Sequence, residues 1–172
     1  MSSLQDLVTA MENVSATLRP MQKADVFAIV PVQADLEVNP WSTKQWHEAY
    51  QHTDDAWVVV DKSLPYPMTN GLLIGYAIYQ AVLEQAELLN FGIRKEYQGR
   101  GLGRDLLEST LSLLPDSVTE VLLDVRRSNV PARNLYTKVG FQEVAERRDY
   151  YPVAGGSRED AIIMKKMLPI SD

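Results

Sequence analysis

The 172-residue sequence contains no cysteine and only two histidines. The absence of cysteine excludes disulfide bonds, thiolate metal ligands and a cysteine nucleophile. Because protein zinc sites draw mainly on cysteine and histidine, two histidines are too few for a site of the usual kind. The composition therefore predicts a protein without a bound metal.

Long apolar runs and an excess of positive charge are also missing. No apolar run approaches the roughly 20 residues of a membrane-spanning helix, and residues 1–15 lack the basic start and apolar core of a signal peptide. The net charge of −6 repels nucleic-acid phosphate and favours a cationic substrate. We expect a soluble, cytoplasmic monomer or weak dimer that binds neither nucleic acid nor membrane.

The remaining composition is that of an ordinary globular chain, with 45% hydrophobic and 23% charged residues. A chain of this length is expected to form a single domain with one substantial core. Residues 1–12 are interpreted as an N-terminal extension, and residues 13–172 as the domain.

Hydrophobic spacing predicts a mixed order of helices and strands, which indicates an α/β domain with a mixed sheet. A loop is predicted over 61–70, where two prolines precede Asn70-Gly71. Ser42 is expected to begin one helix, and Asn129 or Ser128 another that ends at Gly140. The predicted strands are 14–19, 56–60, 71–82, 87–93, 118–125, 141–150 and 160–167. The predicted helices are 23–34, 42–52, 100–115 and 130–139.

A glycine-rich loop stands between a predicted strand and an amphipathic helix. Its glycines allow tight turns, and the first helical amides lack intrahelical partners, so the loop is suited to bind a pyrophosphate. A turn without a ligand remains the alternative. A dinucleotide-binding loop would carry G-x-G-x-x-G, whereas the spacing here is G-x-G-x-G. The candidate cofactor ligands in this loop are Gln98, Gly99, Arg100, Gly101, Leu102, Gly103 and Arg104.

A second constellation follows, with Asp124 to Asn129 preceding a helix that carries Leu135-Tyr136. Helical spacing places Tyr136 on the apolar face, where it is either a core tyrosine or a functional one. Asn129 is either a ligand contact or a helix cap. Asp124 is either a functional acid or the partner of Arg126 or Arg127.

These two motifs resemble those of the GNAT acetyltransferase superfamily, whose signature Q/R-x-x-G-x-G/A matches Gln98–Gly103. The resemblance implies a mixed, largely antiparallel central sheet flanked by helices, with a splay between the two central strands for acetyl-CoA. It implies that loop amides bind the pyrophosphate of acetyl-CoA. Asn129 would contact the coenzyme arm, and Tyr136 would protonate the departing thiolate. Backbone groups of the preceding strand would bind the pantetheine arm and the oxyanion, at Phe91, Gly92 and Ile93.

Within the superfamily the sequence resembles the RimI family, which acetylates the N-terminal alanine of the eighteenth small-subunit ribosomal protein. The similarity covers roughly residues 14–172, and its most distinctive stretch is the tail from Arg147 onward. It implies direct transfer to a basic ribosomal protein in a ternary complex, with Asp124 as the general base. The family carries glutamate at this position, so Asp124 is one methylene shorter.

The groove for the protein substrate is harder to predict from the sequence. The alternative interpretation of its acidic and aromatic candidates is a solvated acidic loop with core or edge aromatics. Three other functions stay open: acetylation of a polyamine, aminoglycoside or amino acid, acetyl-CoA binding without catalysis, and a nicotinamide dehydrogenase. The candidate substrate-binding residues are Trp41, Asn90, Tyr150, Tyr151, Glu159 and Asp160.

Overall fold

The computed structural model describes residues 15–64, 66 and 69–169. The predicted extension over 1–12, the first residue of the predicted strand 14–19, and part of the 61–70 loop lie outside the described residues. The strands are Ala16–Pro20 (β1), Ala56–Asp61 (β2), Leu72–Val82 (β3), Gln85–Ile93 (β4), Glu120–Arg126 (β5), Gln142–Pro152 (β6) and Arg158–Met167 (β7). The α-helices are Val26–Leu36 (α1), Thr43–Gln51 (α2), Leu102–Ser112 (α3) and Val130–Val139 (α4).

The strands are hydrogen-bonded in the order β1-β2-β3-β4-β5-β7-β6. Antiparallel registers join β1 to β2, β2 to β3, β5 to β7 and β6 to β7. A parallel register joins β4 to β5. The predicted mixed, largely antiparallel sheet is therefore confirmed. Because β7 lies between β5 and β6, the strand β6 forms an edge.

One compact unit contains the described residues up to Ile78 together with Asn90–Leu113. It includes β1, β2, α1, α2, α3 and parts of β3 and β4. A Cβ added at Gly75 would lie 2.6 Å from Ile93 Cδ1 and 3.3 Å from Leu106 Cδ2, so glycine lets β3 approach both side chains closely. The largest fully buried side chains of this unit are Trp46, Tyr76, Ile29, Leu73, Ile74, Ile78 and Leu107.

The second unit contains Tyr79–Leu89 and the chain from Leu114 onward. Side chains on β5 alternate as the two-residue period of a strand requires. Val121, Leu123 and Val125 are buried, while Glu120, Leu122, Asp124 and Arg126 are only partly covered. Asp124 thus lies on the more open face of this unit's sheet.

The predicted helix caps are confirmed with one choice resolved. Asn129 rather than Ser128 caps α4, since its side chain accepts a 3.2 Å hydrogen bond from the amide of Ala132. Gly140 ends α4 in the left-handed conformation with φ of 103°, and the Ser42 hydroxyl accepts from the amide of Gln45 at the start of α2.

The helix predicted to begin at residue 23 begins differently. Lys23–Asp25 forms a 3-10 turn, and α1 follows from Val26. The fully buried carboxylate of Asp25 accepts hydrogen bonds of 2.7 and 2.8 Å from Arg19 and one of 2.7 Å from the amide of Gln22. These contacts with the preceding strand and turn fix the entry to α1.

Candidate active site

The glycine-rich loop is anchored to the end of β4 by side-chain and backbone hydrogen bonds. The Gln98 side-chain amide donates to the carbonyl of Ile93 at 2.9 Å, and the backbone amide of Arg94 donates to the carbonyl of Ile74 at 2.8 Å. A 3-10 turn over Lys95–Tyr97 separates the two anchors. The loop therefore has a defined position relative to β4.

Two glycines in this loop adopt conformations that other residues avoid. Gly99 has φ of +75° and Gly101 has φ of +83°, and an added Cβ would meet nothing within 4 Å at either position. Glycine is required here by the backbone conformation rather than by lack of space. Gly101 is the N-cap of α3, and no side chain caps that helix among the described residues.

An uncapped helix start presents backbone amides without intrahelical partners, and the helix dipole favours an anion beside them. The residues from Leu102 onward therefore form a site that fits a pyrophosphate. The two arginines of the loop bind other residues of the chain rather than facing this helix start. Arg100 donates to the carbonyl of Glu96 at 3.0 Å, and Arg104 pairs with Glu108 at 2.8 Å.

Near the end of β4, the backbone of Gly92 lies in close contact with the side chain of Tyr76. A Cβ added at Gly92 would lie 2.5 Å from the Tyr76 hydroxyl oxygen and 2.9 Å from Leu36 Cδ1. Asn90, two residues earlier, is 7% exposed, and its Oδ1 has no hydrogen-bond partner within the described ranges. Since buried acceptors are normally paired, Asn90 Oδ1 is free to accept from a ligand or a water molecule.

Trp41 belongs to an aromatic cluster organised by Gln33. The Oε1 atom of Gln33 accepts from the backbone amide of Trp41 at 3.1 Å and from the indole nitrogen of Trp46 at 2.7 Å. The two tryptophan rings lie 5.0 Å apart, and Trp46 packs edge-on against Tyr76 at 5.3 Å. Trp41 is therefore held in place, with part of its side chain still accessible.

In the second unit, the candidate base Asp124 forms an ion pair with Arg147. The Arg147 guanidinium donates to Asp124 Oδ2 at 3.1 Å, and the carboxylate side chain is 16% exposed. The alternative pairing with Arg126 or Arg127 is not found among the described residues, because both of those arginines bind other carboxylates. Arg126 binds Glu159 at 2.8 Å.

Glu159 and Asp160 do not form the solvated acidic loop that the alternative interpretation describes. Both belong to β7, and Asp160 pairs with Arg127 at 3.3 Å. The hydrogen bond from Arg126 holds the pKa of Glu159 below its ordinary value. Much of the acidic charge at the start of β7 is therefore balanced by arginines of β5 and the turn after it.

The two tyrosines of β6 pack edge-to-face against each other, and each ring also contacts an arginine. The rings of Tyr150 and Tyr151 lie 5.0 Å apart in an edge-on arrangement. Arg147 lies over the Tyr150 ring at 5.3 Å, and Arg126 lies over the Tyr151 ring at 4.4 Å. These cation–π contacts place both tyrosines beside the arginines that bind Asp124 and Glu159.

The remaining predicted residues of this unit lie on or next to α4. Tyr136 is 8% exposed and its ring packs against Phe141 at 5.9 Å, so the core interpretation describes its ring correctly. Asn129 caps α4, which confirms the cap interpretation without testing a ligand contact. The roles of both residues toward a coenzyme stay predictions.

Glu87 on β4 is a residue that the sequence did not single out. Its side chain is exposed, yet packing around the carboxyl raises its pKa, with a smaller contribution from the negative charge of Asp124. The strand alternation Gln85-Ala86-Glu87-Leu88 was the available signal, because it places Glu87 on the open face. The proximity of Glu87 to Asp124 was not predictable from the sequence, because it depends on the register between β4 and β5.

Comparison with known proteins decides the family. The model of the acetyltransferase (GNAT) family matches residues 28–141. The chain belongs to this GNAT family. It is an acetyl-CoA-dependent N-acetyltransferase, and acetyl-CoA is its co-substrate. The resemblance inferred from the glycine loop is thereby confirmed, and the dehydrogenase alternative is excluded.

Several members of the family are similar over most of the chain. The [ribosomal protein bS18]-alanine N-acetyltransferase of Escherichia coli K12 is 37% identical over 157 residues, covering 90% of this chain and 98% of that protein. A putative enzyme of the same description from Bacillus subtilis is 32% identical, covering 87% and 93%. The crystal structure of the ribosomal-protein-S18-alanine N-acetyltransferase from Escherichia coli superimposes with a TM-score of 0.77 at 32% identity, covering 91% and 96%.

The described residues show neither a metal-binding cluster nor a membrane-spanning helix. Among the described residues, no group of three or more histidine, cysteine, aspartate or glutamate side chains is placed to hold a metal ion. Within the same ranges, every helix falls short of the length and apolarity needed to cross a bilayer.

Proposed function

We propose that this protein transfers the acetyl group of acetyl-CoA to the α-amino group of the N-terminal alanine of ribosomal protein bS18. The observation that carries the proposal is the identity of 37% with the Escherichia coli enzyme of that description, which extends over 98% of that relative. A similarity spread over nearly the whole relative includes the regions that select the acceptor as well as the coenzyme motif. We assign residues 13–172 to the catalytic domain and 1–12 to an extension.

Most of the proposed coenzyme contacts belong to the first unit. The amides after Gly101 hold the pyrophosphate, assisted by the loop from Gln98 to Arg104 and by Asn129. Backbone groups of Phe91, Gly92 and Ile93 bind the pantetheine arm and the oxyanion. When bound, acetyl-CoA supplies the activated acyl group. The parallel register of β4 with β5 covers Gln85–Glu87, while β4 extends to Ile93, which supports the predicted splay.

The proton transfers are assigned to side chains of the second unit. Asp124 accepts a proton from the substrate ammonium, so the amine gains the lone pair that attacks the thioester carbonyl. Arg147 orients the carboxylate through Oδ2, and Oδ1 is the oxygen that accepts the proton. Because aspartate is one methylene shorter than the glutamate of the RimI family, a water molecule relays the proton. Tyr136 protonates the leaving thiolate, and transfer is direct in a ternary complex.

The acceptor is a peptide end rather than a small amine. Asn90, Trp41, Tyr150 and Tyr151 contact the first residues of the substrate, with the unpaired Oδ1 of Asn90 available to a substrate N–H. Glu159 and Asp160 are also assigned to substrate binding. They already bind arginines of this chain, so an arginine of the substrate competes for them. The net charge of −6 attracts a basic ribosomal protein.

Mass spectrometry of ribosomal proteins tests the proposal. We expect the N-terminal alanine of bS18 to gain the mass of one acetyl group when the purified enzyme and acetyl-CoA are added to ribosomal proteins from cells lacking the enzyme. Synthetic peptides beginning Ala-Arg should be acetylated far faster than spermidine. Faster turnover of spermidine, an aminoglycoside or a free amino acid would move the acceptor to small amines.

The proposal extends to the cellular location and the assembly state of the protein. An enzyme that modifies ribosomal proteins works in the cytoplasm, where they are made, and needs no nucleic-acid contact of its own. We propose a monomer or weak dimer. Light scattering across a concentration series measures this state directly, and a stable higher oligomer would contradict it.

A further inference from the structure

The open face of the second unit brings two carboxylates together. Glu87 on β4 is the register partner of Leu122 on β5, and Asp124 follows Leu122 by two residues. Residues in register on neighbouring strands, and residues two apart on one strand, point to the same face. Glu87 and Asp124 are therefore diagonal neighbours on one face of the sheet.

A single arginine serves both carboxylates. Arg147 on β6 donates to Asp124 Oδ2 at 3.1 Å, and its positive charge also acts on Glu87. The guanidinium lies over the ring of Tyr150, 5.3 Å from its centroid. Two acids that share one cation leave one negative charge uncompensated, so a proton taken from the substrate relieves the repulsion between the two carboxylates.

The other charged groups on this face are already paired. Glu120 lies beside Gln85 in the β4–β5 register and accepts hydrogen bonds from the Gln85 side chain at 2.6 Å and from Lys165 at 3.2 Å. Lys165 on β7 is in turn the register partner of Leu122. The charges of Glu120 and Lys165 cancel each other, so Arg147 is the cation that balances Glu87 and Asp124.

We propose that Glu87 is a positioning residue that shares one proton with Asp124 and carries that proton away from the base. The inference rests on the proposed acetyl transfer. In the step concerned, an N–H bond of the substrate ammonium breaks and an O–H bond forms at Asp124. The proton then passes from Asp124 to the Glu87 carboxylate, which restores Asp124 as a base. Glu87 is exposed to solvent and releases the proton to water, so charge and atoms balance.

The raised pKa of Glu87 agrees with this assignment. Partial desolvation of the carboxyl is the larger cause, the negative charge of Asp124 adds to it, and the positive charge of Arg147 opposes it. A carboxyl whose proton affinity is increased in this way accepts a proton from its neighbour more readily than an ordinary exposed glutamate does.

The kinetic test compares Glu87→Gln with the matched variant Glu120→Gln, using an Ala-Arg peptide and acetyl-CoA. For Glu87→Gln we expect kcat to fall roughly tenfold, part of the total effect of a general base, while the KM for acetyl-CoA stays unchanged. The pH dependence of kcat should also change, because the variant lacks the second carboxylate that accepts the proton. Glu87→Asp should restore much of the rate, and Glu120→Gln should match the wild type.

Carboxyl-carbon NMR titration reads the proton sharing without any substrate. We expect the Glu87 titration midpoint to fall in Asp124→Asn, which removes the repelling charge, and to rise in Arg147→Gln, which removes the attracting one. A Glu87 midpoint that ignores both changes overturns the inference, as does a pH profile of Glu87→Gln that superimposes on the wild type. If the peptide is not a substrate while the midpoints move as expected, the proposed function fails and the shared proton stands.

Discussion

Arg147 binds the carboxylate of Asp124 at 3.1 Å across a separation of 23 positions in the chain. The contact joins an edge strand, β6, to the candidate base on β5. It leaves one carboxylate oxygen of Asp124 unengaged by Arg147, which is the geometry that a general base requires.

Asp124→Asn should lower kcat/KM for an Ala-Arg peptide by about 10²–10⁴-fold, the usual contribution of a general base. The loss should be greatest at low pH, where unprotonated amine is scarce. Asparagine keeps an oxygen that accepts from Arg147, so folding should be preserved. The control is Asp116→Asn, an exposed acid of the same unit, which should retain full activity. Equal rates for the two variants would remove Asp124 from the mechanism.

Tyr136→Phe should reduce turnover while leaving the Kd for acetyl-CoA nearly intact. The ring packs against Phe141, and phenylalanine preserves that packing, so the substitution isolates the hydroxyl group. Steady-state kinetics and calorimetric titration with acetyl-CoA measure the two effects separately. Unchanged turnover would show that Tyr136 serves only the core.

Gly101→Ala should destabilise the protein by about 1–2 kcal/mol, because its φ of +83° is unfavourable for a residue with a Cβ. It should also weaken acetyl-CoA binding by distorting the amides that follow. Gly155→Ala is the matched control, since its φ is +88° and its added Cβ likewise meets nothing within 4 Å. Urea unfolding should give similar losses for both variants. Equal acetyl-CoA affinities would show that the Gly101 turn does not bind the coenzyme.

Glu159→Gln should reduce stability at neutral pH by about 1 kcal/mol, the scale of a partly shielded, charge-assisted hydrogen bond. Because the Arg126 contact lowers the folded-state pKa of Glu159, the stabilisation is present above its ordinary pKa. It is lost as the pH falls below about 4.5 and through the lower folded-state value. Urea unfolding from pH 7 downward should therefore show the two proteins converging.

Glu146→Gln supplies the control for that pH series. Glu146 pairs with Arg127 at 2.6 Å, but both side chains are about half exposed, at 51% and 47%. Solvent screens such a pair, so its removal should change stability little at any pH. A pH-dependent loss as large as that of Glu159→Gln would show that solvent does not screen the Glu146 pair.

Elements specified by neighbouring residues were predicted well from the sequence. The bounds of α4 follow from Asn129, Pro131 and Gly140, each of which acts within one turn of the helix. The glycine loop and the apolar face of α3 are local signals of the same kind. Leu102, Leu106 and Leu107 are buried as the helical spacing predicted.

Contacts between distant segments account for most of what the sequence did not predict. The insertion of β7 between β5 and β6 brings Glu159 to Arg126. The Arg147 side chain of β6 reaches Asp124 of β5, although the two strands are not neighbours. Arg126 lies two residues from Asp124 in the chain, yet its guanidinium binds Glu159 on the neighbouring strand β7. Glu87 was not predicted from the sequence, because its position beside Asp124 depends on the β4–β5 register, which only the folded sheet defines.

The exposure of β6 has a consequence for how the enzyme responds to its surroundings. Every residue from Gln142 to Tyr150 is exposed, and margins of sheets open at lower free energy than their centres. Each local opening of β6 breaks the contact between Arg147 and Asp124 while the rest of the fold persists. Warming or mild denaturant should therefore erode catalytic competence well before global melting, in step with amide hydrogen exchange at Arg147.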